Sequence, residues 1–166
     1  MNDIEIVVNG EARALRVEPR LSLADCLRET LSCTSVHLGC EHGACGACTV
    51  LLDGEAVRAC LVLAVMGDGR AVTTLDGLLD DPSMRALQQA FHENHALQCG
   101  YCTPGMLVMA YDLLGRMEQV SEAAVRSGLS GQLCRCTGYT GIVRAVVAAA
   151  ERLRGQAELA AVSSGS

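Results

Sequence analysis

Three cysteines crowd into nine residues, at Cys40, Cys45 and Cys48, within the run Gly39-Cys40-Glu41-His42-Gly43-Ala44-Cys45-Gly46-Ala47-Cys48. Such crowding among glycines asks for a metal. The spacing Cys-x4-Cys-x2-Cys is that of plant-type [2Fe–2S] loops, in which a tight loop wraps the cluster and a fourth cysteine arrives from farther along. Cys60 is the candidate. Residues 49–52 read as a strand, Asp53-Gly54 as a two-residue hairpin turn, and residues 55–59 as the returning strand. If Leu52 pairs with Glu55, counting back sets Cys48 opposite Ala59 and brings Cys60 beside the loop. Gly39, Gly43 and Gly46 are expected to take positive φ and to turn N–H groups toward sulfur.

Ten cysteines in 166 residues leave three explanations: a disulfide framework, structural zinc or iron–sulfur ligation. The start Met1-Asn2-Asp3-Ile4-Glu5 has neither the basic residues nor the apolar run of an export signal, so a reducing cytoplasm is expected and disulfides are disfavoured. The longest nearly uncharged apolar run, residues 59–66, is too short to cross a bilayer, so no membrane is expected. A net charge of −6 without a basic cluster offers nucleic acid nothing to hold. Aromatic residues make up only 2% of the chain, so metal must supply part of the stability that large side chains would otherwise give.

The hydrophobic period divides the chain. Ile4, Ile6 and Val8 alternate with other residues, Asn9-Gly10 supplies a turn, and Leu15 and Val17 alternate on the return. Ser22 can cap a helix through Arg28 or Thr30 with Leu23, Leu27 and Leu31 inward, and a short strand is expected at residues 71–74. Hairpin, helix, cysteine loop and further strands match a β-grasp plant-type ferredoxin domain. After a connector ending in the cap Asp81-Pro82, the period becomes helical: Met84, Leu87 and Phe91 line a first helix. Thr103-Pro104 opens a second, apolar nearly all round, and Ser121-Glu122 opens a third. The fourth is expected over residues 141–154, with Ile142, Val146, Ala149 and Leu153 inward. The predicted fold is therefore α+β: a ferredoxin domain over residues 1–76, a four-helix bundle over 77–155, and a flexible C-terminal tail over 156–166.

The helical half carries its own thiols, Cys99-x2-Cys102 ahead of the second helix and Cys134-x-Cys136 ahead of the fourth. At helix N-termini, free N–H groups and the partial positive charge stabilise thiolate, and Arg135 between two thiols could offset further charge. From the residues alone zinc suits this second set nearly as well as iron.

Three motifs in order then carry a resemblance. Gly39-Cys40-Glu41-His42-Gly43-Ala44-Cys45-Gly46-Ala47-Cys48-Thr49-Val50, Gln98-Cys99-Gly100-Tyr101-Cys102-Thr103-Pro104-Gly105 and Leu133-Cys134-Arg135-Cys136-Thr137-Gly138-Tyr139 resemble the two-cluster iron–sulfur subunit of molybdenum hydroxylases, the xanthine oxidase and carbon monoxide dehydrogenase family. The resemblance covers about residues 4–154. It implies that Cys40, Cys45, Cys48 and Cys60 hold the [2Fe–2S] cluster nearer the flavin. Cys99, Cys102, Cys134 and Cys136 would hold the cluster nearer the molybdenum. Gln98 and Cys136 would contact the molybdopterin. It also implies a large subunit carrying the molybdenum cofactor and a medium subunit carrying FAD, in a heterotrimer or a dimer of heterotrimers. Electrons would run from molybdenum through both clusters to FAD, with no substrate chemistry on this chain. Thr103-Pro104-Gly105 resembles the flavin-partnered branch.

Other readings stand beside this one. A free-standing two-cluster ferredoxin, or a zinc-stapled interaction module without redox role, would use the same thiols. Cys99-Gly-Tyr-Cys102 imitates a thioredoxin-type pair, but no βαβ pattern surrounds it. Cys40-x-His42 mimics half of a Rieske motif without its second half, so His42 is read as a loop residue. His92 and His95, three apart, miss the HExxH spacing and are read as surface residues. Cys26 and Cys33 are read as small buried hydrophobes, neither ligands nor a disulfide.

Overall fold

The computed structural model describes residues 1–163. Two-residue turns organise its sheet. Asn9 and Gly10 (φ 52° and 84°) join β1 (Asn2–Val8) to β2 (Glu11–Val17), and Asp53 and Gly54 (φ 50° and 85°) join β3 (Thr49–Leu52) to β4 (Glu55–Arg58). Paired left-handed residues give a turn whose twist matches the flanking strands, and Asn, Asp and Gly tolerate that backbone best. The pairings follow directly, Val8 opposite Glu11 and Leu52 opposite Glu55. β5 (Ala71–Thr73) runs parallel to β1 and antiparallel to β3, giving the order β2-β1-β5-β3-β4.

β3 joins the two halves of the molecule. Successive side chains leave a strand on opposite faces. Val50 and Leu52 enter a core with Ile6, Val8, Leu23, Leu27 and Val72, while Leu51 enters a separate helical core with Met84, Leu87, Met106 and Ile142. All four β3 residues are buried.

The first helix, α1 (Leu23–Asp25), is capped by Ser22, whose Oγ accepts from the Asp25 N–H at 3.0 Å. It covers the expected residues but widens over Cys26–Thr30 into a π turn, closed by the Leu31 N–H donating to the Cys26 carbonyl at 3.1 Å. A wider turn re-aims the side chains that follow. Here it buries both Cys26 and Leu27 completely.

Asp81 caps α2 (Pro82–Glu93), accepting from Ser83 N–H at 2.7 Å, and Met84, Leu87 and Phe91 fill the core as their spacing predicts. α3 (Thr103–Arg116) buries Met106, Leu107 and Val108 together, and α4 (Glu122–Gly128) starts on its Ser121 cap. α5 (Thr140–Ser163) buries Ile142, Val146 and Ala149. It runs past the expected end at Arg154. Residues read as the start of a frayed tail are helical through Ser163, and positions 164–166 of that tail lie outside the described residues. Gln156-Ala157-Glu158-Leu159-Ala160 are strong helix formers, and the single Gly155 costs only about 1 kcal/mol against them. Among the described residues no helix is long and apolar enough to cross a membrane.

One backbone contact sets how the helices meet the cysteine loop. A β-carbon at Gly105, in the first turn of α3, would run into the carbonyls of Gly46 and Ala47, the latter at 2.8 Å. Only glycine lets the helix approach this closely.

Candidate metal centres

The first thiol set is built by the loop and the hairpin behind it. β3 and β4 pair Thr49 with Arg58, and the Ala59 N–H donates to the Cys48 carbonyl at 3.2 Å, so Cys60 arrives beside Cys48 as the register predicts. Within the loop the Cys45 N–H donates to Cys40 Sγ at 3.3 Å. Backbone N–H groups of His42 and Cys45 pull the Cys40 thiol down to about 6, the sign of a pocket made for thiolate. Burial acts the other way on Cys48, pushed up to about 11 with the Cys60 thiol against it. Gly43 and Gly46 take positive φ (82° and 80°), as expected. Gly39 does not. The left-handed position falls on Glu41 (φ 57°), and at Gly39 space is tight instead, since a β-carbon there would sit 3.1 Å from Cys45 Sγ.

The second set is assembled from two separate segments. Cys102 is the residue at the start of α3, and Gly100 (φ 82°) turns the chain so that Cys99 lies beside it. Cys136 Sγ donates to Cys99 Sγ at 3.5 Å, and Cys134 faces Cys102. Burial first, and the Cys134 thiol next, push Cys102 up to about 12. Burial also acts to raise Cys134, yet the Thr137 hydroxyl, donating at 3.1 Å, and the N–H groups of Thr137 and Cys136 bring it below its ordinary value. Cys134 and Cys136 do not stand at a helix start as expected. They lie on a loop ahead of Thr140, where α5 begins; that loop itself supplies the donors to Cys134 Sγ, and Tyr139 Oη accepts from the Cys134 N–H at 2.8 Å. Arg135 is exposed between them.

Both sets pair their thiols two by two, Cys40 with Cys45 and Cys48 with Cys60, then Cys99 with Cys136 and Cys102 with Cys134. Among the described residues no three Cys, His, Asp or Glu side chains close on a single-ion site. Four thiols gathered in each set, with amides aimed at sulfur, would suit a two-iron cluster, whose irons thiolates hold. Gln98, Cys99 and Cys136 are exposed, whereas Cys48 is only 2% exposed. Cys26 is fully buried and Cys33 half-buried; His42, His92 and His95 are on the surface.

The sequence reading missed the residues that tie the two sets together. Arg58 donates to Thr49 Oγ1 and to the Gly131 carbonyl, both at 2.8 Å. Gln132, only 2% exposed, satisfies both amide atoms by donating to the Gly46 carbonyl at 3.0 Å and accepting from Arg58 at 3.2 Å. Leu133 N–H donates to the Cys45 carbonyl at 2.8 Å. The one available signal was position, since Gln132 and Leu133 immediately precede a cysteine motif.

Comparison with known proteins adds a history to this geometry. Residues 6–74 match the 2Fe-2S iron-sulfur cluster binding domain family, and residues 74–147 match the [2Fe-2S] binding domain family. The chain is 50% identical over 145 residues to the nicotine 6-hydroxylase small subunit of Paenarthrobacter nicotinovorans, covering 87% of each protein. It is 49% identical over 146 residues to the caffeine dehydrogenase subunit gamma of Pseudomonas sp. (strain CBB1), covering 86% of this chain and 87% of that one. A chain of the crystal structure of quinoline 2-oxidoreductase from Pseudomonas putida 86 superposes with a TM-score of 0.86 at 46% identity, over 92% of this chain and 96% of that one.

Proposed function

The chain belongs to the two-cluster iron–sulfur subunits of the molybdenum hydroxylase family, and on that premise we propose a role for each of its chemistry-bearing residues. It is an electron-transfer subunit of a heteromeric oxidoreductase, and substrate chemistry lies on other chains. When bound, two [2Fe–2S] clusters take up electrons released at a molybdenum–pterin site and hand them to FAD, both held by partner subunits.

In our assignment Cys40, Cys45, Cys48 and Cys60 hold one cluster, and Cys99, Cys102, Cys134 and Cys136 hold the other. The pairing of thiols two by two is the observation that carries it. Amides of His42 and Cys45 offset the charge on Cys40, and the Thr137 hydroxyl does the same at Cys134. Gln98 and Cys136 reach the surface together with Cys99, so this end of the chain meets the large molybdenum subunit, with Gln98 and Cys136 against the pterin. The loop around Cys40 faces the medium FAD subunit. The sheet with α1 forms a β-grasp domain over residues 1–76, and α2 to α5 form a four-helix bundle from 77 to about 155. The complex is a heterotrimer or a dimer of heterotrimers in the cytoplasm. Relatives named for nicotine, caffeine and quinoline make nitrogen heteroaromatics the substrate class to try first.

The test is purification of the native complex with iron, molybdenum and flavin analysis, followed by reduction and paramagnetic resonance. Two distinct signals and iron for two clusters per chain are expected. Colourless, zinc-loaded protein, or a chain that purifies without larger partners, would overturn the assignment.

A further inference from the structure

His37 and Tyr101 close a clasp across the two cysteine segments. The Tyr101 carbonyl can only accept, so His37 Nδ1 carries the proton and donates to it at 2.7 Å. In return Tyr101 Oη donates to the Leu38 carbonyl at 2.7 Å. The two rings stack with centroids 4.8 Å apart and 28° between their planes. Each residue thus holds the other's segment by a side chain and by a backbone atom or its neighbour's.

The position of the clasp is what gives it meaning. Tyr101 stands between Cys99 and Cys102, and Leu38 stands two residues before Cys40. No strand or helix fixes the segment between Leu31 and Cys48, and the clasp is its hold on the helical half just before the first thiol. Tyr101 is 51% exposed, so the contact adds little to the cores, which are sealed elsewhere by Leu51 and Gly105. Arg58, Gln132 and the Leu133 N–H tie the cysteine loop and the hairpin behind it to a different segment, the one leading into Cys134, through Gly46, Gly131 and Cys45. With the clasp, the cysteine loop is pinned before Cys40 and again at Cys45 and Gly46.

We propose that His37 and Tyr101 are positioning residues that set the separation and orientation of the two clusters, and through them the passage of electrons between the two. The proposal rests on the cluster assignment above. Magnetic interaction between two reduced clusters falls with the cube of their separation, so it reports position without reporting turnover.

The experiment compares the native complex with Tyr101→Phe, His37→Ala and His37→Gln, each first checked for iron. Tyr101→Phe keeps the ring and removes the Oη hydrogen bond; His37→Gln keeps a donor for the Tyr101 carbonyl and removes the ring. Full iron with a changed spin–spin splitting is expected in Tyr101→Phe and His37→Ala. Reduction of the Cys40 to Cys60 cluster should slow several-fold in both while the other cluster is reduced normally, and His37→Gln should recover part of each effect. Full iron with unchanged splitting and unchanged onward reduction in Tyr101→Phe and His37→Ala overturns the proposal and leaves the cluster assignment standing. Loss of a cluster in Tyr101→Phe also overturns it, because the residue would then serve assembly. Absence of two iron signals in the unaltered complex would fail the assignment itself, and the clasp with it.

Discussion

The two thiol sets solve one problem in opposite ways. The first is local: three of its thiols share one loop, and the fourth is delivered by a hairpin whose two-residue turn sets the register. Its deepest member, Cys48, is 2% exposed at the mouth of β3. The second set is a tertiary product, with Cys99 and Cys102 on one segment and Cys134 and Cys136 on another, and two of its thiols are exposed. The difference teaches that one site can be written into a few adjacent residues, whereas the other, with two of its thiols exposed, is held up by the core beneath it.

Removing one proposed ligand from each set is the strongest way to break this contrast. Cys48→Ser and Cys99→Ser should each abolish one paramagnetic signal and spare the other. Cys48→Ser should also lower thermal stability, since its neighbours are core residues. Loss of both signals from Cys99→Ser would show that the first loop is not self-sufficient.

Next in size is the core under the second set. Met106 is completely buried one turn into α3, so Met106→Ala should cost about 2–5 kcal/mol. On heating, the Cys99 to Cys136 signal should disappear before the Cys40 to Cys60 signal; simultaneous loss would mean that the halves melt as one.

The spare cysteines give a smaller effect. Cys26→Ser places a hydroxyl where nothing is exposed and should cost roughly 1–3 kcal/mol. Cys33→Ser, half-buried, should cost a fraction of that. Iron content should stay at the unaltered level in both, and a fall in either would reassign the ligands.

The smallest effect is expected at the exposed end. Gln98→Ala removes no ligand and about one hydrogen bond, on the order of 0.5–1.5 kcal/mol of cofactor positioning. Rapid mixing with substrate should show slower arrival at the Cys99 to Cys136 cluster with onward transfer unchanged. Arrival at the unaltered rate with full cofactor would remove Gln98 from the pterin contact.

What the sequence made legible follows the same divide. Asn9-Gly10 and Asp53-Gly54 demand one turn type each, and the register and the place of Cys60 come with them. The caps Ser22, Asp81 and Ser121 mark three helix starts because their side chains act within three residues. Effects that depend on a distant neighbour were not legible. Gly39 looks like a turn glycine, but what crowds it is the Cys45 sulfur. The start of α5 looks like a cradle for Cys134 and Cys136, but Thr137 and Tyr139 hold Cys134 first. Gln132, Arg58, His37 and Tyr101 are ordinary polar residues until the two halves are packed together.

Gly105 carries a consequence for inheritance. Its contact is with backbone carbonyls of Gly46 and Ala47, so at this point the joint recognises shape and not side chains. A lineage that placed alanine there would have to reshape the loop and the helix in the same step. The outer surfaces of the two halves are therefore free to drift toward new partners, while the halves themselves pass on as a single piece.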